Sequence, residues 1–342
     1  MENLARQIFE VIKDYRNEDG IQITVDSIID WSAQFGDDQQ FMLEELCHLL
    51  PQVYFNKEKV KSCLKSNLND LCAYYHYTDV ATFLSDAEFM HTQGEGKSQT
   101  VLLEILDDII YEKTGNHLSY YQGKPKTLYV YLDDVLASGG TVSRDVIGWL
   151  KAEDHISEVS QGKIRLVVMV VCLHSWGWHF LQYQIKMTFP QYRTEKILWG
   201  WSYEIQNHLK LNNQMLNIAI PVNDQPQNVM NYLSNLSADK YEEYAFREPN
   251  QPRKESFFTS PENRIRYENL LLQKGLDIIG RIKGPVGENI RPLGMIKPRY
   301  KTFGLGTHFI TWRNIPNNSP LVFWWDVPEH GWKPLFPPKR KG

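Results

Sequence analysis

The run Leu128-Tyr129-Val130-Tyr131-Leu132 is apolar or aromatic at every position, ends in two adjacent carboxylates, Asp133 and Asp134, and continues as Val135-Leu136 into the small-residue turn Ala137-Ser138-Gly139-Gly140-Thr141. Unbroken apolar character, without alternation, describes a strand covered on both faces, as in the middle of a parallel sheet. The spacing of Val142, Val146, Trp149 and Leu150 predicts a helix directly after the turn. Asp133 then falls at the carboxyl end of the strand, where open α/β sheets bind ligands. The Ser138–Thr141 turn falls at a helix N-terminus, where unpaired N–H groups and the positive end of the helix dipole favour an anion. Gly139 and Gly140 let the backbone curl round a phosphate, and the hydroxyls of Ser138 and Thr141 add hydrogen bonds or cap the helix. Two carboxylates beside such a nest would repel a bare phosphate. They make sense when they bind another part of the same ligand, either vicinal sugar hydroxyls or a divalent cation bridging those hydroxyls to a diphosphate. A strand, an acidic turn and a capped helix with no ligand is the bland alternative.

The chain has 342 residues, 42% of them hydrophobic and 13% aromatic, with a net charge of −4. That is enough for one large domain, or for a core domain with an added one. No stretch approaches the roughly 18 uninterrupted apolar residues of a membrane helix. The start, Met1-Glu2-Asn3, has neither a basic region nor an apolar one, so the expected location is cytoplasmic, with no membrane partner. The mild acidity leaves no general nucleic-acid footprint; only Lys297-Pro298-Arg299-Tyr300-Lys301 and Lys339-Arg340-Lys341 are basic, and such short runs are usually solvated. Cys47, Cys63, Cys72 and Cys172 form no Cys-x-x-Cys pair and read as reduced, buried thiols. A zinc site from Cys72 and His76 with Cys63 or His48 lacks usable ligand spacing.

Residues 1–73 read as a helical N-terminal unit. Leu4, Ile8, Val11, Ile12 and Tyr15 share one face, Val25, Ile28, Ile29 and Phe35 another, and a third helix through Leu46 and Leu50 is expected to close at Pro51. No basic recognition face marks it as DNA-binding, so packing or partner docking is the expected role. From Tyr74 the pattern becomes α/β, giving a second domain over 74–342. A strand is expected within Glu88–Gln93, then the turn Gly94-Glu95-Gly96-Lys97-Ser98 and a helix with Leu102, Ile105, Leu106, Ile109 and Ile110 on one face. Gly-Lys-Ser opening a helix is a second anion site, but a P-loop needs glycine where His91 stands. Strands at 164–173 and 196–201 flank a helix with Trp178, Leu181 and Ile185. A further strand is expected at 216–222, a polar insertion at 224–258 serving as a partly mobile lid with a short helix at 229–236, and a helix from Ser260-Pro261-Glu262. The aromatic tail, residues 304–342, reads as two β-rich segments around Asn314-Ile315-Pro316-Asn317-Asn318.

Leu128 to Thr141 closely resembles the phosphoribosyl-diphosphate loop of type I phosphoribosyltransferases. With the Trp31–Phe35 region and the aromatic tail, most of the chain resembles phosphoribosyltransferase-like effectors of bacterial conflict systems, some encoded beside retron reverse transcriptases. The resemblance implies a type I phosphoribosyltransferase-like parallel sheet flanked by helices, with the helical N-terminal unit and a hood-like, β-rich C-terminal segment. It implies Mg²⁺-dependent transfer or cleavage at the anomeric carbon of phosphoribosyl diphosphate or a nucleotide, in antiphage defence. On that reading Asp133, Asp134 and Lys97 are catalytic, with Asp133 and Asp134 holding Mg²⁺ directly or through water. Ala137, Ser138, Gly139, Gly140 and Thr141 bind phosphate and ribose, Gly96, Lys97 and Ser98 form the diphosphate loop, and Trp312, Arg313 or Trp324 stack on a base. The alternative is a non-catalytic subunit that senses nucleotides or joins a reverse transcriptase, its RNA and DNA, and a DNA-binding accessory protein.

Overall fold

The computed structural model describes residues 1–339 except Glu95, Gly96, Lys124, Asn212 and Asn213. The chain forms two compact units, one from Met1–Lys57 with Gln206–Gly342 and one from Glu58–Ile205. This division departs from the boundary expected at residue 73. The N-terminal helices pack with the C-terminal part of the chain, because their apolar faces find aromatic partners there.

Helices α1 (Glu2–Ile12), α2 (Val25–Ala33) and α3 (Gln39–Val53) open the first unit. Thr24 caps α2 by accepting from Ser27 N at 3.0 Å, while Ser27 Oγ accepts from Thr24 N at 2.9 Å, a reciprocal capping box. Pro51 lies inside the last turn of α3 and does not close it, since Leu49, Leu50 and Val53 are all buried and their burial outweighs the proline penalty. Trp31 is fully buried, stacks on Phe323 at 5.7 Å and donates its indole N–H to the Val322 carbonyl at 2.9 Å. The short strand β1 (Tyr54–Phe55) ends this segment.

The second unit begins within α4 (Lys57–Tyr74) and continues through α5 (Val80–Asp86), β2 (Ala87–Phe89), α6 (Ser98–Thr114), β3 (Leu128–Leu136), α7 (Gly140–Lys151), α8 (His155–Gln161), β4 (Arg165–His174), α9 (Ser175–Thr188) and β5 (Leu198–Ile205). The four strands form one parallel sheet in the order β2-β3-β4-β5. Both central strands are apolar along most of their length, as covered parallel strands must be. Val142, Val146 and Leu150 of α7, with Leu181 and Ile185 of α9, share a core with Tyr131, Val168 and Val170 of the sheet. In register, Asp133 lies beside Val170, and Val170 beside Trp201.

The chain then returns to the first unit with α10 (Gln227–Ser234), α11 (Pro261–Gly280), β6 (Ile310–Thr311) and α12 (Leu321–Trp324). Here three expectations are corrected. Residues 216–222 form no strand: Ile218 makes a single bridge to Thr307, and the Leu216 and Ile218 carbonyls accept from the Arg264 guanidinium instead of a sheet neighbour. The polar stretch 224–258 is not a solvated insertion throughout, because Arg247 and Glu255 are tied into a buried ion network with Arg264 and Glu268 of α11. Among its described residues the aromatic tail contributes one strand, β6, which pairs in parallel with β1; Leu321–Trp324 turns as a helix after Pro320, with Trp325 N donating to the Leu321 carbonyl at 2.9 Å. Among the described residues no helix is long and apolar enough to cross a membrane.

Candidate phosphate and sugar site at the end of β3

Strand β3 runs through both acids to Leu136, so Asp133 and Asp134 stand in its second half and the turn follows at Ala137. Gly139 has φ 77°, the left-handed conformation that favours glycine, and α7 starts at Gly140. The first bond of the helix is Ser143 N to the Gly139 carbonyl at 2.8 Å, which leaves the earlier N–H groups of the turn open to an anion. The loop is backed by α9. A Cβ on Gly177 would fall 1.8 Å from the Ala137 carbonyl oxygen, so this close approach needs glycine. Ser143 Oγ also donates to Gln184 Oε1 at 2.7 Å, tying α7 to α9.

Asp133 is 3% exposed and surrounded by donors. Its Oδ1 accepts from Ser98 Oγ and from Asp134 N, each at 2.9 Å. Its Oδ2 accepts from Gln93 Nε2 at 2.9 Å and from Tyr131 OH at 3.0 Å. These contacts fill the roughly four lone-pair sites a carboxylate offers. The same Tyr131 hydroxyl lies 3.1 Å from Oδ2 of Asp145, on α7. Gln93 is held in place by Gln99, which is fully buried: its Oε1 accepts from Thr92 N at 2.8 Å and Gln93 N at 2.9 Å, and its Nε2 donates to the Leu132 carbonyl at 3.0 Å.

Asp134 is half-buried, and burial, reinforced by the charge on Asp133, pushes its carboxyl up to about 7. Burial, and then the charge of Asp134, also raises the Cys172 thiol on the neighbouring strand.

The structure brings Asp133, Asp134, the Ala137–Thr141 turn and Ser98 to one end of the sheet. Lys97 is exposed at the cap of α6. Gly96 lies outside the described residues. Ser98, of the diphosphate-loop candidates, directs its hydroxyl to Asp133.

The stacking candidates belong to the other compact unit. Trp312 is 6% exposed and so presents no open ring face, which corrects that expectation. Trp324 is half-buried and donates its indole N–H to the Ser319 carbonyl at 2.7 Å, and Arg313 is half-buried.

Tyr131, Gln93, Gln99, Asp145 and Gly177 escape the sequence reading: a tyrosine in an apolar strand looks like core, and nothing in a local pattern marks a glutamine as a clamp.

For a cation, no cluster of three or more His, Cys, Asp or Glu side chains suited to a metal is found among the described residues. The donor set is instead two hard carboxylates, one of them saturated. That set fits Mg²⁺ only as an ion held mainly by water and ligand oxygens, with Asp134 as the available protein donor.

Compared with known proteins, the chain matches the family model PRTase-CE over residues 28–337. No curated protein and no solved structure matches it.

Proposed function

Because the chain belongs to the PRTase-CE family and is therefore phosphoribosyltransferase-like, we propose that the end of β3 binds a phosphoribosyl substrate and acts at its anomeric carbon. The observation that carries this is the direct succession of two carboxylates, a left-handed glycine and an open helix N-terminus. The turn Ser138–Thr141 holds the 5′-phosphate, and that binding energy fixes the sugar in position. Asp133 and Asp134 accept from the ribose hydroxyls and stabilise the positive charge that develops on the sugar in an oxocarbenium-like transition state. Lys97, exposed at the cap of α6, faces the departing anion. Mg²⁺, when bound through Asp134 and substrate oxygens, would supply neutralisation of the diphosphate. One of the side-chain donors on Asp133 must yield its position when a ribose hydroxyl arrives, since no lone pair is spare.

The likeness to conflict-system effectors supports a role in antiphage defence, where the same chemistry with water as acceptor would split nucleotides. Partnership with a reverse transcriptase rests on that likeness alone. The second reading is a ligand sensor without turnover; the four protein donors already on Asp133 favour it, because they leave that carboxylate satisfied in the free protein.

The deciding experiment is mass-spectrometric profiling of nucleotides and RNA from cells making the wild type or Asp133→Asn/Asp134→Asn, with and without phage. A metabolite or modified RNA that changes only with the wild type is expected and names the acceptor. Matching profiles under both conditions would remove the enzyme reading and leave the sensor.

A further inference from the structure

The hydroxyl of Tyr131 lies between two carboxylate oxygens, Asp133 Oδ2 at 3.0 Å and Asp145 Oδ2 at 3.1 Å. A phenol has one proton to donate, so it serves one acceptor at a time. Gln93 Nε2 gives Asp133 Oδ2 its other donor at 2.9 Å and reaches Asp145 only at 3.5 Å. Asp145 is built to wait: its side chain is 6% exposed, and its other oxygen accepts from Arg144 Nε at 3.0 Å. Leaving a buried carboxylate oxygen short of a donor is costly, and here either carboxylate can be supplied by rotating one O–H bond, with no heavy atom moving.

We propose that Tyr131 and Asp145 are positioning residues that make the site selective for ribose over 2-deoxyribose phosphates. This rests on the reading that Asp133 meets a ribose hydroxyl, and it assigns the contact at Oδ2 to the 2-hydroxyl. When that hydroxyl donates to Asp133 Oδ2, Tyr131 turns its proton to Asp145, and the number of hydrogen bonds within the protein is conserved. A 2-deoxy sugar brings no such donor, so Tyr131 stays with Asp133 and Asp145 gains nothing. Asp145 is thus the second acceptor that lets Asp133 accept ribose without breaking a bond that is not remade. The link also joins the sugar carboxylate to α7, the helix whose first turn forms the phosphate nest.

Two variants carry opposite signs. In Asp145→Leu, Tyr131 has only Asp133 as acceptor, and ribose must displace it. In Tyr131→Phe, Asp133 lacks a donor and ribose fills the gap. Calorimetric titration with ribose 5-phosphate, 2-deoxyribose 5-phosphate and inorganic phosphate, all in magnesium buffer, reads the effect. The wild type is expected to prefer ribose 5-phosphate. That preference should fall about tenfold in Asp145→Leu and rise about tenfold in Tyr131→Phe, the size of one charge-assisted hydrogen bond. Inorganic phosphate should bind all three proteins alike.

If the wild type binds neither sugar phosphate, the phosphoribosyl reading fails and this inference with it. If the wild type binds both sugars without preference, or both variants move the preference in the same direction or leave it unmoved, the inference alone fails. Loss of inorganic phosphate binding in either variant marks a merely structural role and likewise overturns it.

Discussion

Gly177 stands where the first turn of α9 meets the carbonyl of Ala137, at a distance that excludes any side chain. Gly177→Ala should therefore push the phosphate turn out of shape, lowering inorganic phosphate affinity at least tenfold and destabilising the fold by about 1–3 kcal/mol. Gly148→Ala is the matched control: it is exposed within α7 with nothing within 4 Å of its would-be Cβ, and should stabilise by about 0.5–1 kcal/mol through helix propensity. Thermal melts with phosphate titration check both. The contrast shows which residues speak through local sequence. Asp133, Asp134 and Gly139 are legible because strand, acids and turn are contiguous, so their chemistry and spacing appear together. Gln99 and Asp145 are not, because what they do depends on a partner contributed by another element. Gly177 is silent for another reason, since a glycine inside a helix looks the same whether or not a carbonyl presses against it.

Among elements, those with one strong period were readable: the covered strands β3 and β4, the apolar stripe of α6, and α11 with its Ser260 cap, which accepts from Asn263 N at 3.1 Å. Segments whose polar residues pair over a distance were misread. The stretch before α11 looks solvated because it is charged, yet Arg247 binds Glu268 at 2.8 Å with both side chains almost wholly buried. Arg247→Leu should leave Glu268, whose carboxyl burial already raises, with Arg264 as its remaining cation, and cost about 3 kcal/mol. Urea unfolding measures this. Replacing Arg247 and Glu268 together, by Leu and Met, should cost less than Arg247→Leu, because no unpaired charge then stays buried. Equal losses would show that the ion pair does not set the stability of this corner. The aromatic tail was misread for a related reason: residues that favour strands also fill cores, and here Trp31, Phe323 and Phe336 do the latter.

At the scale of the whole molecule, burial keeps His174 of the second unit and His308 of the first neutral, lowering each to about 3. Their unfolded value is 6.5, so the folded protein binds fewer protons than the unfolded chain between those limits. The stability they contribute is complete above pH 6.5 and is lost as pH falls toward 3, by about 1.4 kcal/mol per pH unit for each histidine. Asp134 acts in the opposite sense, because its raised carboxyl favours the folded state as pH falls from about 7. The histidine part is therefore read as a difference: His174→Phe should unfold with a shallower loss between pH 6.5 and 4.5 than the wild type, and parallel curves would dismiss the assignment. His174 suits this test because neither of its ring nitrogens has a partner among the described residues. At this scale the sequence said least. The faces of α1 to α3 were visible as apolar stripes, but no local pattern reveals that their partners lie some three hundred residues onward, as Tyr15 meeting Phe336 at 5.1 Å shows.

That separation sets an order of assembly. The second unit is complete in sequence at Ile205, well before the end of the chain, and its strands pair with sequence neighbours, so it can fold while synthesis continues. The first unit cannot: Trp31 and Tyr15 emerge early and wait, apolar and uncovered, until Phe323 and Phe336 arrive. A ribosome stalled between those points would hold a nascent chain with a finished α/β unit and an unsatisfied hydrophobic N-terminus, the form most in need of a chaperone.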